Sequence, residues 1–276
     1  MEATNIINAI NTVAEKIFKS VEGEVFKGLD DLLIIDETIL EKDPLSTLFI
    51  KAETSGLILL ISSFILFFFV YYVLSRVISM YNGEVSENIF KYILRIIVCV
   101  ILSTSSIYIL KEILMLNGIV TNIIAQIGKD LTGETICFEN LREVITNLDK
   151  YMSSEALSID GIIKGVISFG ASTILISFAI RYVTLIFLII VSPITIMFAS
   201  SSATYGIFKS WSRLLIINLL VQNIVVIILM IPLSIKNSNN ESFKIILVGS
   251  IYLLYRVNNF TKDFLGNISE RIVSKK

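Results

Sequence analysis

The residues that could carry chemistry in this sequence are few. The chain has no histidine, and so it lacks the commonest general base and metal ligand. It contains no phosphate loop of the form GxxxxGK[ST], no GxSxG nucleophile motif and no HExxH zinc motif. Its paired acids, such as Asp30–Asp31 and Asp36–Glu37, lie in polar sequence and are predicted to be solvated surface residues. We therefore expect no enzyme activity, no cofactor and no metal site.

One arginine within a long apolar run is the sharpest remaining candidate. Arg181 is the single charged residue between positions 165 and 208. An arginine in the middle of a membrane span costs about 2.5–3.5 kcal/mol on insertion scales, so it needs a partner, water or an interface. Two interpretations follow: Arg181 anchors its helix at the interface with Tyr182, or it lines a polar path or contacts another subunit.

A second group of polar residues lies in a later apolar run. Asn218 and Gln222 are four residues apart and share one helix face, with Asn223 next to them. Amides within a membrane usually join helices by hydrogen bonds, and lining an aqueous path is the alternative. No carboxylate lies inside the confident spans, which argues against a proton-coupled carrier.

Composition defines the elements that must position these residues. The chain has 276 residues, of which 54% are hydrophobic and only 17% charged, against about 25% charged in an ordinary soluble domain. The charges are unevenly spread, and the uncharged runs approach the 20 or so residues that cross a hydrocarbon core of about 30 Å. The sequence predicts an all-α, polytopic transmembrane helical bundle of about five spans, with six as the alternative, and a small helical exterior region.

The charge pattern also predicts the boundaries. We expect an exterior amphipathic N-terminal region (1–53), two transmembrane helices (54–110), an exterior helical loop (111–164), three transmembrane helices (165–258) with an interfacial linker near 204–213, and a cytoplasmic basic tail (259–276). Within this scheme the second span is 89–110. The segment 113–128 is interpreted as an interfacial or protein-buried helix rather than a full span. The run 165–203 is interpreted as one long kinked helix, with two separate spans as the alternative.

Lysine and arginine predict the orientation. With five spans and the N-terminus outside, the cytoplasmic segments hold ten basic residues in 51 positions, and the exterior segments hold twelve in 116. Basic residues are enriched on the cytoplasmic side of membrane proteins. The sequence therefore predicts an exterior N-terminus and a cytoplasmic C-terminus.

One stretch carries a family resemblance. Residues 180–222 read IRYVTLIFLIIVSPITIMFASSSATYGIFKSWSRLLIINLLVQ and resemble the TrbL-type membrane proteins of conjugative type IV secretion systems, in particular those of Gram-positive mobile elements. The matching features are Arg181–Tyr182, the break at Ser192-Pro193-Ile194, the segment Gly206 to Trp211, and Gln222. Proline should kink or stop the helix at Pro193. Aromatic and basic residues then suit an interfacial linker, namely Phe208, Lys209, Trp211 and Arg213.

The resemblance implies a function. A protein of this kind would be a non-enzymatic channel or scaffold subunit in the plasma membrane of a bacterium, helping a DNA–protein substrate to cross. Its expected partners are copies of itself, secretion ATPases and other membrane subunits of the system, the lipid bilayer and the translocated DNA–protein complex. The alternatives are a stand-alone transporter or permease component for a small solute, using Arg181 and the Asn218–Gln222 pair as its site, and a small membrane-disrupting or immunity protein.

Overall fold

Helices form every regular element of the part of the chain that the structure describes. This computed structural model describes residues 25–41, 46, 56–83, 89–149, 159–201, 204–235 and 241–273. No strand occurs within these ranges, which confirms the predicted all-α class. The helices are α1 (25–33), α2 (Gly56–Tyr81), α3 (Ile89–Thr104), α4 (Ser106–Thr132), α5 (Phe138–Asp149), α6 (Ile159–Met197), α7 (Tyr205–Leu233) and α8 (Glu241–Val273).

Four helical stretches among the described residues are long and apolar enough to cross a membrane: Ser62–Tyr81, Ser106–Thr132, Gly165–Ser200 and Tyr205–Leu233. Such helices indicate a membrane protein, because few soluble folds expose so much uncharged helix surface. The apolar stretch Ile93–Thr104 is shorter than a span. The last expected span lies within α8, which continues to Val273, so residues 259–273 extend a helix instead of forming a separate tail.

The second expected span, 89–110, is not a single helix. Helix α3 ends at Thr104, and α4 begins at Ser106. The interruption is the single residue Ser105. Backbone hydrogen bonds continue across it, from the N–H of Ser105 to the carbonyl of Ile101 and from the N–H of Ile109 to the carbonyl of Ser105, both at 3.0 Å. The segment expected to be interfacial or buried, 113–128, instead belongs to α4, which has the length and composition of a span.

The continuity of α6 excludes the alternative that residues 165–203 form two separate spans. Helix α6 is one helix of 39 residues that runs through Pro193 to Met197, so the chain does not reverse within it. The separate linker helix expected near 204–213 is also absent as such. No glycine or proline lies between Gly206 and Pro232, so nothing there interrupts the helix. Helix α7 therefore runs from Tyr205 to Leu233, and the linker residues form its first turns.

The chain divides into two compact units. The first comprises Met1–Ile34, Gly118–Tyr182 and Ile217–Lys276. Its core joins α1 and α5, from the segments expected to be exterior, to the apolar helices α6, α7 and α8. One buried cluster contains Phe26 and Leu29 of α1, Phe138 of α5, Phe178 of α6, Val221 and Leu229 of α7, and Leu247 of α8. Helix α5 lies within the segment 111–164, which was expected to be an exterior helical loop. Of the amphipathic region expected over 1–53, only residues 25–41 and 46 are among those that the structure describes.

The second unit comprises Ile35–Asn117 and Val183–Ile216. A small cluster of Ile65, Tyr72, Ile96, Cys99 and Met197 forms its core. The Phe68 and Phe198 rings meet edge to face, with centroids 4.9 Å apart. The hydroxyl groups of Tyr72 and Thr204 are hydrogen-bonded at 2.9 Å. These contacts join α2 and α3 to the region where α6 gives way to α7.

Candidate functional site

Arg181 lies inside the first unit and not at its surface. Its side chain is 2% exposed, and its Nη2 donates a hydrogen bond of 3.3 Å to the carbonyl of Leu33, at the end of α1. The guanidinium carbon lies 5.4 Å from the centroid of the Phe178 ring, one turn earlier on α6. Within the described part of the chain, its Nε and Nη1 donate to no acceptor. This burial contradicts the interpretation of Arg181 as an interfacial anchor.

The aromatic ring beneath Arg181 connects it to the start of α5. Phe178 packs edge to face on Phe138, with centroids 5.9 Å apart. Asp30 of α1 caps α5 at this point: its Oδ1 accepts from the Phe138 N–H at 2.7 Å, and its Oδ2 from the Glu139 N–H at 2.9 Å. A carboxylate at a helix N-terminus satisfies free N–H groups and the helix dipole. Asp30 is therefore not the solvated surface acid that the sequence predicted, whereas its neighbour Asp31 is exposed.

The cap gives the first unit a pH-dependent contact. Burial raises the pKa of Asp30 above its ordinary value of 3.8, and this effect outweighs the two N–H bonds, which lower it. The folded chain therefore holds this proton at a pH where the unfolded chain has released it, so the contribution of Asp30 to stability falls as pH rises through that window. We expect Asp30→Asn to remove this pH dependence of stability.

Asp30→Ala should lower the free energy of unfolding by about 1 kcal/mol at every pH above the range in which Asp30 titrates, because the cap of α5 is lost. Melting temperatures in detergent, from neutral pH to below 3.8, measure the effects of both substitutions. Identical pH profiles for wild type and Asp30→Asn would contradict the assignment.

The amides of α7 form a closed network with α4. The Thr121 hydroxyl donates to Oδ1 of Asn223 at 2.7 Å and accepts from Nε2 of Gln222 at 2.9 Å. Thr121 and Gln222 are completely buried, and Asn223 is 9% exposed. Asn218 is only half-buried. The arrangement joins two helices by mutually satisfied polar groups, which is the commoner of the two roles expected for these amides.

In the Ser192-Pro193 sequence of α6, the serine replaces the backbone hydrogen bond that the proline cannot make. Pro193 has no N–H, and so the carbonyl of Ile189 loses its usual helical partner. The Ser192 hydroxyl donates to that carbonyl at 2.8 Å, and all three residues are buried. The carbonyl of Pro193 in turn accepts from the hydroxyl of Ser103 on α3. These bonds explain why α6 continues through the proline instead of stopping there.

The serine and the proline are therefore expected to depend on each other. Ser192→Ala removes a buried hydrogen bond, at a cost of about 1 kcal/mol in the free energy of unfolding. In a Pro193→Ala background the backbone N–H is restored, so the same serine substitution should cost clearly less. Unfolding of the four proteins in mixed micelles measures the difference, and equal costs in both backgrounds would contradict the compensation.

The linker residues divide between core and surface. Trp211 is buried, and its indole Nε1 donates to the carbonyl of Leu188 on α6 at 3.0 Å. Phe208 is half-buried and contacts Trp211, with ring centroids 6.0 Å apart. Lys209 and Arg213 are exposed. Trp211 thus fastens the start of α7 to α6, while the two basic side chains remain available to lipid headgroups, water or a partner.

Sequence reasoning missed the partners of these residues. Nothing in the sequence marks Leu33 or Phe178 as a partner of Arg181. Thr121 is visible as a polar residue in the apolar part of α4, but its contact with the amides of α7 was not predicted. Arg181 and the amides belong to the first unit, and Pro193 and Trp211 to the second. No group of three or more metal-ligating side chains occurs among the described residues. No family model matches the chain, and no curated protein or solved structure does so either.

Proposed function

We propose that this protein is a non-enzymatic channel or scaffold subunit of a conjugative type IV secretion system, which helps a DNA–protein substrate to cross the plasma membrane of a bacterium. The observation that carries the proposal is the stretch 180–222, which resembles the TrbL-type subunits of such systems. The apolar helices support the membrane location. The lack of histidine and of any phosphate loop agrees with a subunit that leaves nucleotide hydrolysis to partner ATPases.

The buried contacts of residues 180–222 suit a rigid membrane subunit. Four of the matching residues make buried hydrogen bonds: Arg181 to the carbonyl of Leu33, Ser192 to that of Ile189, Trp211 to that of Leu188, and Gln222 to the hydroxyl of Thr121. Buried polar groups within apolar helices are costly unless paired, so they favour defined helix positions over loose packing. A scaffold that assembles with copies of itself and with other subunits needs such defined surfaces.

The same proposal places the N-terminus outside and the C-terminus in the cytoplasm. Two exposed side chains test it in a background where Cys99 and Cys137, both free, are serine. We expect Thr146→Cys on α5 to react with a membrane-impermeant maleimide in intact cells whose outer layers admit the reagent. Lys209→Cys on α7 should react only after the membrane is permeabilised. The reverse labelling pattern would show that the topology is the opposite of the one proposed. Labelling of both cysteines in intact cells would exclude the proposed topology.

Cross-linking in donor cells tests the proposed assembly. Affinity purification after cross-linking should recover copies of the chain together with the secretion ATPases and other membrane subunits. Cells that lack one ATPase gene serve as the control, because the remaining partners should still be recovered. Recovery of a lone monomer, with no secretion component attached, would overturn the proposal and favour a stand-alone carrier.

A further inference from the structure

An apolar groove runs between α6 and α8 in the first unit. Its volume is about 530 Å³, within the range of roughly 300–1,000 Å³ that holds small ligands in proteins. Gly170 forms part of its lining, and a methyl group added there would collide with Ile251 of α8. The glycine therefore lets the two helices approach closely, and Ile251 fills the space that a side chain at this position would take. Phe169, which is 78% exposed, stands at the rim.

A polar edge closes this groove on the side of α8. Tyr252 and Tyr255 line it, and Arg256 lies next to them on an exposed surface. Nη1 of Arg256 donates to the Tyr252 hydroxyl at 3.3 Å, and its guanidinium carbon lies 5.9 Å from the centroid of that ring. The arginine thus stands over the tyrosine, and among the described residues only one of its N–H groups has an acceptor.

The polar edge lies at the end of the uncharged stretch of α8. Residues 245–255 are uncharged, and Arg256 is the first charge after them. Tyrosines and basic residues at the end of an apolar helix are typical of the headgroup level. No carboxylate is present among the residues that line the groove. A guanidinium with free donors at this level attracts phosphate.

We propose that the groove binds one acyl chain of an anionic phospholipid, whose headgroup phosphate contacts Arg256 and the Tyr252 hydroxyl. The groove takes the chain because both helices present apolar side chains to it, among them Val166 and Phe169 of α6 and Val248 of α8. Arg256 selects a lipid with net negative charge, since a zwitterionic headgroup carries its own cation. The proposal does not depend on the secretion role.

Native mass spectrometry of the purified protein in detergent tests it. The probes are phosphatidylglycerol and phosphatidylcholine with identical acyl chains, and inorganic phosphate alone. We expect retention of one phosphatidylglycerol in preference to phosphatidylcholine. Arg256→Gln should lower phosphatidylglycerol retention about fivefold, the value for one basic side chain near an anionic headgroup, and leave phosphatidylcholine unchanged. Arg142→Gln, which removes the same charge from α5, should change neither.

A second variant tests the binding of the acyl chain independently of the binding of the headgroup. Thr173→Phe enlarges a side chain in the groove lining and should reduce the retention of both lipids. Equal retention of the two lipids by wild type, or an unchanged preference in Arg256→Gln, would overturn the proposal. Binding of inorganic phosphate alone would also overturn it, by assigning the arginine to a soluble anion. So would Phe169→Cys in a background with Cys99 and Cys137 as serine, if it formed disulfide-linked dimers in membranes, because a second copy would then occupy the groove.

Discussion

Arg181→Met is expected to lower DNA transfer about tenfold or more without unfolding the protein. The arginine is buried with one weak hydrogen bond, and two of its donor atoms have no acceptor among the described residues. A buried charge that is incompletely paired costs stability, and apolar replacements of similar size are often neutral or stabilising. The melting temperature of Arg181→Met in detergent should therefore equal or exceed that of wild type.

Transfer should respond in the opposite direction. Because the proposed function uses Arg181 as a polar contact within the assembly, we expect transfer from a donor carrying Arg181→Met to fall about tenfold or more, the size of one coupling interaction. Arg142→Met is the matched control, because Arg142 lies on α5 and pairs with Glu139 at 2.8 Å on a partly exposed surface. Normal transfer in Arg181→Met at a wild-type protein level would remove Arg181 from the functional residues. A collapse of its melting temperature would show instead that the arginine is structural.

Thr121→Val should produce the largest loss of stability among the uncharged substitutions. The change keeps the shape of the side chain but removes the hydroxyl that both Gln222 and Asn223 use. Hydrogen bonds between membrane helices are worth about 0.6 kcal/mol on average and up to about 1.7 kcal/mol, so two of them predict a loss of about 1–3 kcal/mol in the free energy of unfolding. Unfolding in mixed micelles with increasing sodium dodecyl sulfate measures it.

A double-mutant cycle assigns that loss to the network. Gln222→Leu should cost less in the Thr121→Val background than in wild type, because the bond between the two side chains is already absent. Thr104→Val provides the control, since the hydroxyl of this exposed threonine bonds only to carbonyls of its own helix. Additive costs for Thr121→Val and Gln222→Leu would contradict the coupling across α4 and α7.

The helical membrane class could be predicted because it depends on the spacing of charges alone. Arg181 and Gln222 were also recognisable, since polar groups within uncharged runs are rare. The break at Ser105 and the continuous start of α7 at Tyr205 were not predicted, because hydropathy does not report where a run of backbone hydrogen bonds begins or ends.

Contacts between distant segments were beyond the sequence for a different reason. The cap of α5 by Asp30 joins residues 108 positions apart, and the Thr121–Asn223 bond joins residues 102 apart. The pattern of Asp30–Asp31 fits a solvated pair equally well, because nothing nearby in the sequence marks one of them as half-buried. Only the packing of α1 on α6, where Gly28 meets Leu175, brings Asp30 to the helix that it caps.

Conjugative DNA transfer from a donor strain with this gene deleted in frame tests the central proposal most directly. A secretion subunit predicts that transfer collapses while growth stays normal, and that the wild-type gene supplied in trans restores it. Unchanged transfer in the deletion strain, with the neighbouring genes expressed at their usual level, would contradict the proposal. Transport of a small solute would then be the favoured function.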